Sequence, residues 1–210
     1  MAKTVQEEIL VENRTDTCGY AIKTLQQQLF ALVNRIKNDD EKAFEAFYEL
    51  TVNRVFGLVF KIIGNKSDTE EIVSEAYIQM WRQRSQYHPD NGSVLGWCLL
   101  IARSRALDYY RKTKSFDQLK NNYQVELESL LFQSAEPYEI MQDSGNYKGL
   151  MVALNQLGTH QKQAIILSFF RGLSHREIAE LLEIPLGTVK SDIKRGMEAI
   201  ARNLATEVLL

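Results

Sequence analysis

Apolar residues recur in this chain at spacings of three and four from Leu25 to Ile200, and no segment alternates strictly between apolar and polar. That period places apolar side chains along one stripe of an α-helix, whereas a strand needs a period of two. Leu25, Leu29, Leu32, Val33 and Ile36 open the pattern; Phe44, Phe47, Tyr48, Val52, Val55, Phe56, Val59, Phe60 and Ile63 carry it on. Asp39 or Asp40 can cap this second helix, and Gly64 suits its end. Ser67-Asp-Thr-Glu70 has the capping-box pattern for a third helix, whose stripe is Ile72, Val73, Ala76, Tyr77, Met80 and Trp81. Tyr87-His-Pro-Asp-Asn-Gly-Ser93 is a turn by composition, and Ser93 can cap a fourth helix ending near Lys114.

Three prolines and 11 glycines are too few for the many tight turns of a β-sandwich or barrel. The expected fold class is therefore all-α: two helical domains joined by an acidic flexible linker. Residues 1–24 form a weakly periodic N-terminal extension. Residues 25–116 and 148–210 are each long enough for a small core. Between them, 117–147 contains Pro137 and Gly145 and reads as the linker, and four further helical stretches start near Tyr147, Thr159, Ser174 and Pro185.

The net charge of −2 conceals an uneven distribution. From Trp97 to Lys120, Arg103, Arg105, Arg111, Lys112, Lys114 and Lys120 face only Asp108 and Asp117. From Asn121 to Tyr147, Glu126, Glu128, Glu136, Glu139 and Asp143 meet no base. A basic block attracts phosphate through counterion release, although the same block also suits a solvated helix face. An apolar fraction of 45% argues against wholesale disorder. No apolar run reaches the length of a membrane span, and the first residues lack a signal-peptide core. Cys18 and Cys98 have no metal-ligand spacing and read as reduced thiols of a cytoplasmic protein. No metal or cofactor is expected, since His88 has no second ligand at a suitable spacing.

Ser174-His-Arg-Glu177 repeats the capping-box pattern ahead of Ile178, Ala179, Leu181 and Leu182. After Glu183-Ile-Pro185 a second helix begins, with Val189, Ile193, Met197 and Ile200 on one face and Thr188, Lys190, Ser191, Lys194 and Arg195 on the other. Two short helices around a tight turn, the second basic and hydroxyl-bearing at its start, form a helix-turn-helix pattern suited to a major groove.

The run from Gln163 to Ser191 closely resembles region 4 of RNA polymerase sigma factors of the extracytoplasmic-function (ECF) group. Asp68-Thr-Glu-Glu-Ile-Val-Ser-Glu-Ala-Tyr-Ile-Gln-Met-Trp81, followed by Trp97-Cys-Leu-Leu-Ile-Ala-Arg-Ser-Arg-Ala-Leu-Asp108, resembles region 2 of the same group. The resemblance covers roughly residues 25–204. It implies an alternative sigma factor, not an enzyme, with core RNA polymerase and promoter DNA (duplex and melted single strand) as partners. An anti-sigma protein is a further candidate partner, and no membrane is involved.

On that resemblance Asp68, Glu71 and Glu75 face the polymerase, with Ser74 replacing a usual Gln. Tyr87, His88, Asp90 and Asn91 lie in the loop that captures a flipped base, and Ser104 and Asp108 face minus-ten bases, Ser104 replacing a frequent Asn. Arg103, Arg105, Arg111 and Lys112 contact phosphates. Thr188, Lys190, Ser191, Lys194 and Arg195 read the minus-thirty-five element, with Arg171 and Arg176 near the DNA backbone. Asp192 stands where many relatives carry a cation. It would repel a phosphate unless Arg195 offsets it, or it could accept a hydrogen bond from a cytosine amino group.

Three other readings compete. A two-domain regulator that binds duplex DNA without polymerase leaves the first-domain match unexplained. An enzyme would need a nucleophile–base pair or a phosphate loop, and neither is visible. The third is a helical scaffold that binds only protein.

Overall fold

The computed structural model describes residues 24–114, 116, 118, 120 and 152–207. Helix α1 spans 24–36 and buries Leu29, Val33 and Ile36. Helix α2 runs Glu41–Ile63, and Asp40 is its cap, accepting the Ala43 N–H at 3.0 Å. That amide foremost, and Arg35 at 2.8 Å after it, hold the Asp40 carboxyl below its ordinary range. Helix α3 is Lys66–Arg82, and here the cap is Asn65 rather than Ser67: Asn65 Oδ1 accepts the Asp68 N–H at 3.2 Å. Gly64 ends α2, so Asn65 is the first residue that can start the next helix. Ser67 then falls inside the first turn, and Asp68 sits near the positive end of the helix dipole.

Two 3-10 turns, Arg84–Gln86 and Pro89–Asn91, lead to helix α4, Val94–Thr113, capped by Ser93 Oγ accepting the Gly96 N–H at 3.0 Å. Helices α2, α3 and α4 pack on one another around Phe47, Val55, Val59, Ile72, Met80, Cys98 and Ala106. One polar pair crosses this core. Thr51 Oγ1 donates to the Phe47 carbonyl at 2.7 Å and lies 2.7 Å from the Tyr77 hydroxyl, which donates to it. Both hydroxyls are satisfied, so their burial carries no unpaired-group penalty. Burial still pushes the Tyr77 phenol above its ordinary range.

After a short helical stretch at 152–155 comes helix α5, Thr159–Ile166. It widens into a π-turn, Leu167–Arg171, and ends at Gly172 in a left-handed conformation, φ 63°. Helix α6, His175–Leu182, has the expected reciprocal cap: Ser174 N–H donates to Glu177 Oε2 at 2.7 Å, and Glu177 N–H donates to Ser174 Oγ at 3.3 Å. Helix α7 is Leu186–Glu207, and both α5 and α6 pack on it.

The packing stripe of α7 differs from the apolar one. Met197 is 53% exposed, while Val189, Asp192, Gly196 and Ile200 are buried. The contact is centred on Gly196, where a Cβ would lie 2.6 Å from Ile165 Cδ1. Only a residue without a side chain lets α5 and α7 come this close, and that rotates the stripe by one position. The start of the stretch expected near Tyr147, the extension before Thr24, and nearly all of the acidic segment lie outside the described residues.

The two helical units also meet. The main apolar cluster continues from α1–α4 into Ala164, Leu167, Ile178, Leu181 and Val189, and the π-turn packs against α2 and α4.

Candidate nucleic-acid interface

The first basic surface lies on α7. Lys190, Lys194 and Arg195 are exposed, and Thr188 and Ser191 are half-buried beside them. The Ser191 hydroxyl donates to the Thr188 carbonyl at 2.9 Å, and Arg195 Nη2 donates to Ser191 Oγ at 3.1 Å. Arg195 also pairs with Asp192 at 3.5 Å. Asp192 is 8% exposed, so it faces the protein rather than a base or phosphate, and Arg195 offsets its charge. Its position one turn before Gly196 on the inner stripe is the reason. Arg176, in the first turn of α6, is exposed.

The second basic surface lies on α4. Ser104, Asp108 and Lys112, four residues apart, are exposed along one outer stripe. Arg105 turns instead to α3, its Nε donating to Gln79 Oε1 at 2.5 Å and its Nη1 lying 4.0 Å from Glu75. Arg103 and Arg111 turn to the π-turn. Arg103 Nε donates to the Phe169 carbonyl at 2.9 Å and its Nη2 to the Ser168 carbonyl at 3.0 Å, with the guanidinium 4.6 Å above the Phe169 ring. Arg111 Nη2 donates to the Gly172 carbonyl at 2.7 Å. Burial foremost, and the neighbouring charge of Arg111, lower the Arg103 pKa. A cleft of about 300 Å³ remains between the units, with Ser104 and Asp108 on one wall and Ser168 and Gly172 on the other.

Two expected DNA contacts are placed elsewhere. Tyr87 is 3% exposed: its hydroxyl donates to the Gly92 carbonyl at 3.0 Å, and its ring lies 5.6 Å from Trp97. Lys37 closes over it, donating to the Tyr87 carbonyl at 2.9 Å. Burial pushes the phenol up. Tyr87 is thus a strut under the loop, not a ring open to a base, because a turn this short needs an apolar anchor. His88 and Asn91 remain exposed on its surface. Arg171 is 7% exposed, donating from Nη1 to the Ile62 carbonyl at 3.1 Å and stacking 4.8 Å from the Tyr110 ring. That takes it away from a DNA backbone in this arrangement.

The acids of α3 share one side of the helix, at spacings of three and four. Asp68 accepts a hydrogen bond from the Tyr109 hydroxyl, and that bond, with Glu71 nearby, raises the Tyr109 pKa. Glu71 and Glu75 are exposed.

Sequence reasoning missed the partners of the arginines, namely Ser168, Phe169 and Gly172. The available signal was Phe169-Phe170-Arg-Gly172, an aromatic pair running into a glycine at a helix end, where the last carbonyls lack intrahelical donors. Among the described residues no group of three or more His, Cys, Asp and Glu could hold a metal. No helix among them is long and apolar enough to cross a membrane.

A helix-turn-helix unit with an exposed basic second helix defines a class of DNA-binding proteins. Residues 47–116 match the family model for Sigma-70 region 2, and residues 148–200 match that for Sigma-70, region 4. The ECF RNA polymerase sigma factor SigK of Mycobacterium ulcerans is 30% identical over 172 residues, covering 82% of this chain and 91% of the relative. That of Mycolicibacterium vanbaalenii is 28% identical over 178 residues, covering 84% and 89%. The solved structure of CnrH in complex with the cytosolic domain of CnrY covers 84% of this chain and 96% of that chain, at 16% identity and a TM-score of 0.40. The chain belongs to the ECF RNA polymerase sigma factors. It is an alternative transcription initiation factor that binds core RNA polymerase and directs it to promoters through minus-ten and minus-thirty-five elements.

Proposed function

We infer that the two ends of the chain divide the promoter between them. Residues 25–116 hold the polymerase through Asp68, Glu71 and Glu75 and read the melted minus-ten strand. His88 and Asn91 of the loop and Ser104 and Asp108 of α4 meet unstacked bases, while Arg103, Arg111 and Lys112 hold the backbone. Residues 148–210 read the minus-thirty-five duplex through Thr188, Lys190, Ser191, Lys194 and Arg195, with Arg176 on a phosphate. Tyr87 and Arg171 act through packing, and Asp192 acts by orienting Arg195. The factor performs no covalent chemistry of its own and works in the cytoplasm, where the polymerase is.

The observation that carries this reading is the wet face of α7. Lys190, Lys194 and Arg195 lie exposed on the side opposite the Gly196 contact, on the second helix of the helix-turn-helix. A helix whose inner face is packed and whose outer face offers cations and hydroxyls can enter a major groove without unfolding anything. Start-site-specific run-off transcription with core polymerase tests it. Lys190→Ala should lower selectivity among promoters that differ upstream while polymerase still co-purifies. Equal transcription from all such promoters, with and without the substitution, would sink the assignment.

A further inference from the structure

We propose that Leu100 is a specificity-determining residue whose side chain packs on the methyl group of a thymine in the melted minus-ten strand. The thymine is the base between the one held by the loop and the one that meets Ser104. The proposal rests on the reading above that α4 faces unstacked bases.

Leu100 is 64% exposed, the highest value for a large apolar side chain among the described residues. A helix turns by about 100° per residue, so Leu100 lies opposite Cys98 and Ala102, two positions away on either side. Both of those are wholly buried where α4 packs on α2 and α3. Leu100 therefore occupies the outermost line of the helix, which that packing cannot cover. Ser104 and Asp108 follow it on the exposed stripe at steps of about 6 Å, four residues of helix rise each. In the other direction comes Trp97, half-buried, its ring 5.6 Å from that of Tyr87 beneath the loop of His88 and Asn91. Leu100 thus stands between the loop and the two polar residues, and a strand running from one to the other crosses it.

The chemistry of the side chain selects the base. Leucine has no donor, no acceptor and no π-face, so it reads neither an amide edge nor a ring by stacking. Among the groups on base edges only the C5-methyl of thymine is apolar. Covering Leu100 with that methyl takes apolar surface of both partners out of water. The stripe then offers three chemistries in order: an apolar group at Leu100, a hydroxyl at Ser104 and a carboxylate at Asp108. Alanine is at least as good a helix former as leucine, so Leu100→Ala removes the contact and leaves α4 intact.

The test uses holoenzyme reconstituted from the full chain and core RNA polymerase. A promoter is recovered by run-off transcription from a library randomised through the minus-ten element. Each thymine of its non-template strand is then replaced in turn by deoxyuridine, which lacks only the methyl. At one position, next to the flipped base, uracil should slow open-complex formation about threefold to fourfold, the size expected for one buried methyl group. Leu100→Ala should slow it on the thymine promoter by a similar factor and make thymine and uracil equal at that position. Ser104→Ala should leave the thymine-to-uracil ratio there intact. A library without a thymine preference, equal rates at every position, or a ratio that survives Leu100→Ala overturns the proposal. Equal loss on thymine and uracil overturns it as well, since it shows packing on a base face rather than on the methyl. Loss of polymerase co-purification in Leu100→Ala assigns the leucine to a protein contact and has the same consequence. All of these outcomes leave the reading of α4 standing. Wild-type holoenzyme that starts at no specific site overturns that reading, and the thymine contact with it.

Discussion

Helices α4 and α7 have similar outward chemistry and different surroundings. Each carries a stripe of cations and hydroxyls on a face opposite its core contacts. On α7 that face opens to solvent, and its cations lean only on their own helix, as Arg195 does on Ser191 and Asp192. On α4 two of the cations are spent on the carbonyls of a neighbouring unit, and a third, Arg105, is spent on Gln79 and Glu75. The difference teaches that basic character alone does not define a nucleic-acid surface. What decides is whether the charge has already found an acceptor inside the fold.

The largest expected effect breaks the loop that adjoins α4. Tyr87→Ala should destabilise the chain by about 3–5 kcal/mol, the usual range for truncating a buried aromatic residue. Chemical denaturation checks this, and Asn91→Ala, exposed on the same loop, should leave the midpoint nearly unmoved. Equal effects of the two would return Tyr87 to the base-contacting set.

Next comes the hub of the contact between the two units. Arg171→Ala leaves a void and removes a donor from the Ile62 carbonyl, at a cost of about 2–4 kcal/mol. If thermal unfolding shows no loss, the two units do not depend on each other, and α4 and α7 are more alike than their contacts suggest.

A smaller effect sharpens the α7 side. Arg195→Ala or Lys190→Ala should weaken promoter binding by about 1–3 kcal/mol, the range for one good contact. Fluorescence anisotropy with matched and mismatched duplexes measures it. Met197→Ala, two turns beyond Lys190 on the same exposed face but without a charge, should have a much smaller effect.

The smallest effect per step concerns alkaline pH and the first unit. Burial pushes the Cys98 thiol from 9.0 up to about 12 and raises the Tyr77 phenol as well. In the unfolded chain both ionise near their ordinary values, whereas the folded chain must keep them protonated. Their contribution is therefore whole below about pH 9 and declines as pH rises toward 12, by at most about 1.4 kcal/mol per pH unit for each group. Cys98→Ala should flatten that decline in denaturation curves measured across this range.

Much of the fold was legible before any coordinates. Asp40, Ser93 and the Ser174–Glu177 pair cap the helices they were expected to cap, because a cap is a contact between residues two or three positions apart. The apolar stripe of α3 likewise lies inward, and so does that of α2 except for Tyr48, which is 42% exposed. Less was legible of the site. Met197 fits the apolar period of α7 and is nevertheless exposed, while Asp192 and Gly196 turn inward. No apolar pattern can register a glycine that lets another helix approach, or a carboxylate that its own helix partly neutralises.

Local sequence by itself determined the all-α class, most of the helix ends and the cations on the wet face of α7, since each depends on residues within about two turns of one another. Only the tertiary structure decided that Tyr87 is a strut, that Arg171 is buried, and that Arg103 and Arg111 meet carbonyls. An arginine at position 103 needs an acceptor, and the one it finds lies 66 positions away in the sequence, at Phe169. Periodicity reports which side of a helix is polar. What comes to lie against that side is set by how the units pack.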